Sequence, residues 1–453
     1  MQTNLVYGVK DRPGIGKTII FALQQLLAIL AATIAVPAIV GNGMSQSAAL
    51  FGAGVGTLVY LLFTKFKSPV FLGSSFAFLG SMFAAFGGAV SMQVGYLGLI
   101  IGAIFAGLVY VIIAVIVKFC GTRWINKLMP AVVIGPTVAI IGLSLASNAV
   151  GDLVHGATFS DGFQMNLTGG MSLICGLVTL FTVIACSVYG KKMMKMIPFI
   201  IGIAAGYLVA TLITVFGYHV GHNAQLQLID WSAFKSMKWL PDFAFIEAFK
   251  GFKEVDAGYI GTIAVAYVPV AFVVFAEHIA DHKNLSTIVG SELLEEPGLH
   301  RTLLGDGVGS MAGAFFGGCP NTTYGESVGC VAISGNASVV TILATAIMAI
   351  VFSFLAPFTT LLATIPSCVM GGVCIALYGF IAVSGLKMIQ KVDLGDNRNL
   401  FVVSIILIAG VGGLTLVFGK VTLTEVACAL VLGILANLFV NIGRKNKTES
   451  EGK

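Results

Sequence analysis

The chain of 453 residues is 57% hydrophobic and only 10% charged, whereas a soluble protein normally carries about 25% charged residues. A soluble core could not bury this much apolar surface, so the composition indicates a polytopic membrane protein. The formal net charge of +5 is modest, and the basic residues form no cluster of the kind that binds nucleic acid.

Apolar segments of about 20 residues, long enough to cross a bilayer core, recur along the whole chain. They form two sets of seven, separated by a polar stretch at 217–258. We therefore predict an all-α polytopic membrane protein with 14 transmembrane segments. The first set is predicted at 17–40, 47–64, 69–87, 94–118, 126–148, 170–189 and 195–216, and the second at 259–282, 301–317, 320–335, 337–357, 364–384, 398–417 and 421–442.

Basic residues are concentrated in alternate connections, which predicts the orientation of the chain. By the positive-inside rule, connections that carry Lys and Arg face the cytoplasm. Both termini are therefore predicted to be cytoplasmic and the stretch 217–258 to be extracellular. The basic residues on the predicted cytoplasmic side are Lys10, Arg12, Lys17, Lys65, Lys67, Lys118, Arg123, Lys127, Lys191, Lys192, Lys195, Arg301, Lys387, Lys391, Arg398, Arg444, Lys445 and Lys447.

Seven segments per half give the two halves opposite orientations, which is a 7+7 inverted repeat. Such repeats place the substrate site near the midplane, between the halves. Segments three and ten are both interrupted by Gly, Pro and polar residues, over 68–78 and 316–324. We predict a short strand leading into a half-helix in each, with both half-helix N-termini aimed at one site.

The tenth segment carries an acid, Glu326, directly after Gly325. An ionisable residue at membrane depth is a functional-site hypothesis by default. A carboxyl group that loses its water takes up a proton more readily, and a neutral acid both donates and accepts hydrogen bonds. Glu326 is therefore a candidate ligand for the amide edge of a heterocycle. The structural alternative is a carboxylate that only binds backbone N–H groups.

Segment eight ends in a cluster of titratable residues. Glu277 and Asp281 share one helix face, and His278 and His282 share the next. The cluster is a substrate and proton site, a metal site, or a helix end in water. We expect a site role for Glu277, which follows a long apolar run, and a solvated helix end at His282 and Lys283. A metal is disfavoured because the two pairs point in different directions.

Three further polar residues interrupt apolar segments. Of Gln24 and Gln25, one is expected to donate to the core and the other to pack at a helix interface, but the sequence does not assign them. Tyr378 is either a packing aromatic or a lid over the site. The eight cysteines lie mostly within apolar runs without CxxC spacing, so we expect neither a metal site nor disulfides.

Four motifs resemble those of the nucleobase/ascorbate transporter family, and the resemblance extends from Asp11 to segment fourteen. It implies a proton-coupled symporter that imports uracil, with an elevator-like alternating-access mechanism, no cofactor besides the coupling proton, and no enzymatic activity. A purine such as xanthine or uric acid is the alternative substrate. The motifs lie at 73–78, 276–278, 297–301 and 321–326.

The resemblance also implies a domain organisation. A core domain would move in the lipid bilayer against a gate domain, and the gate domain would form a homodimer. The implied parts are a cytoplasmic N-terminus at 1–16, core segments at 17–118 and 259–357, gate segments at 119–216 and 358–443, an extracellular loop at 217–258 and a cytoplasmic tail at 444–453.

Site residues follow from the resemblance, position by position. The acids would bind the ring edge of the base, the backbone at Phe76 would add hydrogen bonds, and Tyr378 would approach from the gate. The implied substrate-binding residues are Glu277, Glu326, Phe76, Gly325 and Tyr378, the implied proton-coupling residues are Glu277, Asp281 and Glu326, and no metal ligand is implied.

Three positions depart from the family pattern. Asp281 stands where a well-known relative has His, Ser327 where Asn is usual, and Gln25 where His is usual. Purine-selective relatives typically carry Gln-Asn in place of Glu326 and Ser327, so Glu326 favours uracil. Two other classes stay open: an anion exchanger of the same fold, and a metal-dependent intramembrane enzyme that uses the segment-eight cluster.

Overall fold

The computed structural model describes residues 5–121, 130–154, 166–418 and 421–442. The predicted tail at 444–453 and the start of predicted segment five lie outside these residues. So do five of the basic residues that support the predicted orientation: Arg123, Lys127, Arg444, Lys445 and Lys447.

Helices dominate the described part of the chain. The first half contains α1 (Ile15–Val40), α2 (Gln46–Phe63), α3 (Leu79–Gly87), α4 (Met92–Cys120), α5 (Ala131–Ser144), α6 (Ala146–Leu153), α7 (Leu167–Tyr189), α8 (Lys192–Met196) and α9 (Pro198–Ile213). The second half contains α10 (Ala244–Lys250), α11 (Ala257–Val289), α12 (Leu299–Gly317), α13 (Gly325–Ser334), α14 (Val339–Ser353), α15 (Ala356–Ala363), α16 (Ser367–Ile389), α17 (Asn397–Val411) and α18 (Glu425–Val440).

The lengths and hydropathy of these helices indicate a multi-pass membrane protein. Within the described residues, eight helices are long and apolar enough to cross a membrane, or nine if the bent pair α14 and α15 is one broken span. The two helices of that pair meet at 82°. Predicted segment eleven, 337–357, therefore turns sharply after Ser353 instead of continuing straight.

Two short strands lie in the interrupted segments. β1 (Leu72–Ser74) pairs antiparallel with β2 (Asn321–Thr323), so that Leu72 lies opposite Thr323. The pairing continues past the strands, because Ser75 N donates to the Pro320 carbonyl at 2.9 Å. A 3₁₀ turn and α3 follow β1, and α13 follows β2, so each strand leads into a short helix.

Gly73 allows the two strand segments to pack closely. Tyr324, at the end of the β2 segment, donates its hydroxyl to the Ser74 carbonyl at 2.7 Å. A Cβ atom at Gly73 would lie 2.2 Å from the Tyr324 ring, well inside van der Waals contact. The absence of a side chain at Gly73 therefore lets the ring cross β1.

We expect Gly73→Ala to destabilise the protein by about 1–3 kcal/mol, because the buried ring has to move. The thermal unfolding midpoint of the detergent-solubilised protein measures this. Gly80→Ala is the matched control, since its added Cβ would only touch Glu425 Oε1 at 3.9 Å. Equal midpoints for the two variants would contradict the assigned role of Gly73.

The strands are held by a close helix pair. A Cβ at Gly52 of α2 would lie 2.4 Å from the Gly313 carbonyl of α12, so these helices touch backbone to backbone. Asn321 of β2 donates Nδ2 to the Gly52 carbonyl at 3.1 Å. More widely, α1–α4 pack with α11–α14, while α5, α6, α7 and α9 pack with α16, and α17 packs with α18. The short helix α8 packs against α7, α9 and α13.

The chain ahead of α1 is part of this packing. Val6 N and Tyr7 N donate to the Gly335 carbonyl at 2.7 and 3.1 Å, and Ala337 N donates to the Tyr7 carbonyl at 2.9 Å. Ser338 Oγ donates to the Asp11 carbonyl at 2.6 Å. The N-terminal segment thus binds the link between α13 and α14.

The predicted loop 217–258 carries ordered structure of its own. It contains α10, which packs against α4 and α12. The Phe245 ring stacks on Phe315 of α12, with centroids 4.9 Å apart. This stretch therefore covers the ends of these helices.

Predicted segments thirteen and fourteen hold shorter helices than expected. α17 ends at Val411, and β3 (Leu416–Phe418) then pairs antiparallel with β4 (Val421–Leu423) ahead of α18. Gly413, with a φ of +70°, lies in the turn after α17. The strands are rich in β-branched and aromatic residues, which favour extended backbone.

Candidate functional site

A cavity of about 420 Å³ lies between the two groups of helices. One wall comes from α1, α11 and α13, and the other from α5, α7, α8, α9 and α16. This volume falls within the range of about 300–1,000 Å³ that is typical of small-molecule sites. The cavity extends to Lys195 of α8, whose side chain is exposed.

Three carboxylates face this cavity from the first wall. Glu277 and Asp281 lie on one face of α11, and Glu326 lies in the first turn of α13. Each of these residues is half-buried. The helical spacing and the strand-to-helix turn therefore bring together acids that are far apart in sequence.

Asp281 joins α11 to the end of β2. Thr323 donates Oγ1 to Asp281 Oδ2 at 3.0 Å. A Cβ at Gly325 would lie 3.8 Å from Asp281 Oδ1, so the start of α13 packs against the same carboxylate. A larger residue at 325 would fill the space between the two acid-bearing helices.

Glu326 lies at a helix N-terminus inside the cavity. The N-cap residue, Tyr324, provides no side-chain cap for α13, and Glu326 is the acidic residue of the first turn. A carboxylate at this position is stabilised by the helix dipole by roughly 0.3–1 kcal/mol. The site therefore offers a carboxylate and backbone N–H groups side by side.

Phe76 and Tyr378 lie outside the cavity wall. Their rings pack edge to face with centroids 5.7 Å apart, and both residues are buried. Phe76 comes from the turn before α3, and Tyr378 from α16. Of the predicted site residues, Glu277, Asp281, Gly325 and Glu326 thus line the cavity, while these two aromatic residues touch each other across the helix groups.

The prediction that the helix end at His282 is solvated is wrong. α11 continues to Val289, and His282 is 1% exposed, whereas Lys283 is exposed. The helix continues because its next turn stays buried: Leu285 packs in an apolar cluster and Ser286 Oγ accepts from Leu293 N at 2.9 Å.

Both histidines have polar partners on the side of α11 that packs against α2 and α12. His278 Nδ1 lies 2.7 Å from Asp306 Oδ2, and its Nε2 lies 3.0 Å from Thr302 Oγ1. His282 donates Nδ1 to the His278 carbonyl at 2.8 Å, and its Nε2 lies 2.6 Å from Tyr60 Oη. Burial of these rings is thus compensated by hydrogen bonds.

The acid pair and the histidine pair of α11 therefore lie in different environments. Only the acids line the cavity, while the histidines stack on each other with centroids 4.0 Å apart. Across the described residues, no group of three or more His, Cys, Asp or Glu side chains is placed to hold a metal ion.

The two glutamines of α1 have separate partners. Gln25 donates Nε2 to Ser327 Oγ of α13, while Gln24 donates Nε2 to Met193 Sδ of α8 at 3.0 Å. Gln25 is therefore the glutamine that donates to the core, and Gln24 lies at a helix interface. Two departures from the family pattern, Gln25 and Ser327, are direct partners.

Sequence reasoning missed three residues of this region. Asp306 is an acid within an apolar segment and is fully buried, so the argument that selected Glu277 would also have found it. Thr323 and Lys195 gave no comparable signal. A threonine in a strand and a lysine in a basic cluster are both common, and only the fold brings Thr323 to Asp281 and Lys195 to the same cavity.

Solved structures share this architecture at low sequence identity. The transmembrane domain of the cyanobacterial bicarbonate transporter BicA matches with a TM-score of 0.61 and 14% identity, covering 94% of this chain and 97% of that one. Murine Slc26a9, an anion transporter in the inward-facing state, matches with a TM-score of 0.68 and 12% identity, covering 96% and 69%. At such identities the likeness concerns the fold alone.

Sequence relatives are much closer. The uracil permease of Bacillus caldolyticus is 40% identical over 450 residues, covering 98% of this chain and 96% of the relative. The uracil permeases of Bacillus subtilis (37% identical, 98% and 97% covered) and Escherichia coli K12 (32% identical, 97% and 95% covered) are also similar. A family model described as "Permease family" matches residues 16–418. The chain therefore belongs to this permease family, the nucleobase/ascorbate transporters that its motifs resemble, and is a transporter rather than an enzyme.

Proposed function

We propose that this protein imports uracil together with a proton across the cell membrane. The observation that carries the proposal is the cavity in which Glu277, Asp281 and Glu326 face the helices of the second group. Substrate identity is supported by the relatives that are uracil permeases.

The proposed architecture has 14 membrane segments in a 7+7 inverted repeat with both termini in the cytoplasm. The site would lie in the core domain, which comprises 17–118 and 259–357. The core domain would move against the gate domain, which comprises 119–216 and 358–443 and would also form a homodimer interface. Support comes from the antiparallel pairing of β1 with β2, which joins corresponding segments of the two halves, and from helix packing that is more extensive within each helix group than between the groups.

The acids match the hydrogen-bonding edge of a pyrimidine. Uracil presents alternating N–H and C=O groups, and a carboxyl group in its neutral form both donates and accepts. We assign the ring edge to Glu277 and an N–H and C=O pair to Glu326, with backbone N–H groups of the α13 N-terminus beside it. Asp281, held by Thr323, would exchange protons with Glu277.

Coupling of uracil transport to the proton would follow from the charge of the three acids. An ionised acid at mid-membrane costs roughly 2.5–3.5 kcal/mol on insertion scales, and three acids share this cavity. Proton and uracil bound together lower the charge and satisfy the polar groups, so the loaded core passes the apolar gate. An empty, ionised core passes less readily. The elevator-like shift is therefore coupled to the proton.

The lining of the cavity supports a cytoplasm-facing conformation. It includes Lys195 and Ser384, which are exposed, and Met388, which lies next to the last residue of α16. The nearby basic residues Lys191 and Lys387 were assigned to the cytoplasmic side by the positive-inside rule. Uracil would leave the site along this path.

We expect purified protein in proteoliposomes to accumulate radiolabelled uracil when the outside is more acidic than the lumen. A protonophore collapses the pH gradient and is expected to reduce the accumulated uracil to the equilibrium level. Accumulation that survives the protonophore would contradict proton coupling.

Competition identifies the substrate among related bases. Uptake of radiolabelled uracil is measured in the presence of one unlabelled competitor at a time: uracil, thymine, xanthine or uric acid. We expect unlabelled uracil to compete best. Xanthine or uric acid as the stronger competitor would identify a purine symporter. Bicarbonate as the only effective competitor would indicate an anion exchanger, which we disfavour because three carboxylates face the cavity.

A further inference from the structure

One buried serine hydroxyl connects three separate elements beside the site. Ser327, fully buried in the first turn of α13, receives a hydrogen bond from Gln25 Nε2 of α1. The same Oγ accepts from the backbone N–H of Phe71 at 3.0 Å, one residue before β1. Gln25 Nε2 also lies 3.3 Å from the Ser327 carbonyl. Gln25 itself is 3% exposed, so this connection is made away from water.

The chemistry of a hydroxyl group makes this junction specific. A serine oxygen has two acceptor lone pairs, and here two donors from different elements use them. Removing the hydroxyl leaves both a buried side-chain amide and a buried backbone N–H without this partner. Removing only the glutamine amide leaves the Phe71 bond in place.

The junction controls the position of a substrate-binding acid because Ser327 directly follows Glu326. Phe71 also accepts from Tyr324 N at 3.3 Å, so residues on both sides of Glu326 are bonded to the Phe71 peptide. A change at the serine is therefore expected to shift the Glu326 carboxylate relative to α11, which carries the other acids.

We propose that Gln25 and Ser327 form a pair of positioning residues that hold Glu326 in register with Glu277 and thereby set substrate affinity and selectivity. This inference rests on the proposed nucleobase site. Neither residue lines the cavity, so the pair acts through the geometry of α13 and not through contact with the substrate.

A double-mutant cycle in proteoliposomes tests the pair, with Ser327→Ala, Gln25→Met and the double variant. Methionine keeps the approximate shape of glutamine without its amide. We expect Ser327→Ala to raise the KM for uracil by roughly tenfold, as for one hydrogen bond of ordinary strength, and to weaken discrimination against xanthine. Gln25→Met is expected to raise the KM less.

The decisive outcome is the double variant. With the donor amide gone, the alanine no longer deprives it of its hydroxyl acceptor, so the KM is expected to be no higher than that of Ser327→Ala. If the fold increase of the KM in the double variant equals the product of the fold increases in the two single variants, the pairing is overturned. Unchanged KM and competition profiles in both single variants overturn the positioning role.

Two further measurements separate positioning from general destabilisation. Hydrogen exchange of a peptide that covers Phe71 is expected to be faster in Ser327→Ala but unchanged in Gln25→Met. Gln24→Met is the matched control, since Gln24 donates to Met193 of α8 and not to Ser327. This variant is expected to keep the wild-type KM. Equal exchange in all variants, or an equal KM increase in Gln24→Met, overturns the assignment.

Failure of the proposed function is distinguishable from failure of this inference. Wild-type protein that does not transport uracil refutes the function, whereas the exchange rates at Phe71 still report whether the serine junction exists. Wild-type uptake with independent effects of the two residues refutes only the inference.

Discussion

Glu277→Gln is expected to abolish the accumulation of uracil against its gradient. The variant keeps the size of the side chain but cannot take up or release a proton, so the pH gradient no longer drives the core. Uracil is proposed to bind the protonated acid, and loss of one such hydrogen bond costs about 0.5–1.5 kcal/mol, which is roughly a 2- to 13-fold loss of affinity. Uptake of radiolabelled uracil in proteoliposomes, with and without the pH gradient, measures both effects.

The control for this variant is Glu247→Gln. Glu247 forms an ion pair with Lys250 at 2.6 Å in the stretch 217–258 and does not line the cavity. It tests whether any loss of a carboxylate impairs the protein. Gradient-driven accumulation in Glu277→Gln at the level of this control would remove Glu277 from the mechanism.

Glu326→Gln is expected to abolish uracil uptake or redirect it to purines. A protonated carboxyl group can present its donor on either oxygen, whereas an amide has a fixed donor and a fixed acceptor. The base that fits best therefore changes. Competition by xanthine and uric acid, relative to uracil, is the measurement.

Glu295→Gln is the control for the second variant, because Glu295 is exposed and does not line the cavity. Binding of the bases to purified protein distinguishes lost recognition from a stalled transport cycle. A Glu326→Gln variant with wild-type uracil selectivity would remove the substrate argument that rests on this acid.

Membrane physics made the broad class predictable. Apolar runs of bilayer length identify membrane segments, because a spanning helix must satisfy its own backbone hydrogen bonds. An ionised acid within such a run has a high free energy of membrane insertion, which indicates a functional role. Glu277 and Glu326 could therefore be selected as candidates from the sequence. Interruptions by Gly, Pro and polar residues in segments three and ten predicted short strands for the same reason.

Features that depend on tertiary packing were not predictable. His282 is buried because Tyr60 and His278 offer partners to its ring, and those partners come from far away in the sequence or from one helical turn back. The sharp turn after Ser353 has one local signal, Pro357 in the first turn of α15, but a proline does not give the angle between the two helices. Periodicity describes a single helix and contains no information about its neighbours.

The junction at Ser327 shows the same limit at the site. From the sequence, Gln25 and Ser327 were two unrelated departures from a family pattern, separated by some 300 positions. The hydrogen bond between them shows that they belong to one local structure. A contact between residues so far apart in sequence becomes visible only in the three-dimensional structure.

The strand pair has a mechanical consequence. Because β1 and β2 are bonded to each other, the two half-helices that follow them cannot separate without breaking the ladder. In the proposed site, α13 therefore cannot hinge away from α3 when a ligand binds. A base bound against α13 would meet a wall of fixed shape on this side of the cavity, and the proposed elevator-like shift would move that wall as a unit.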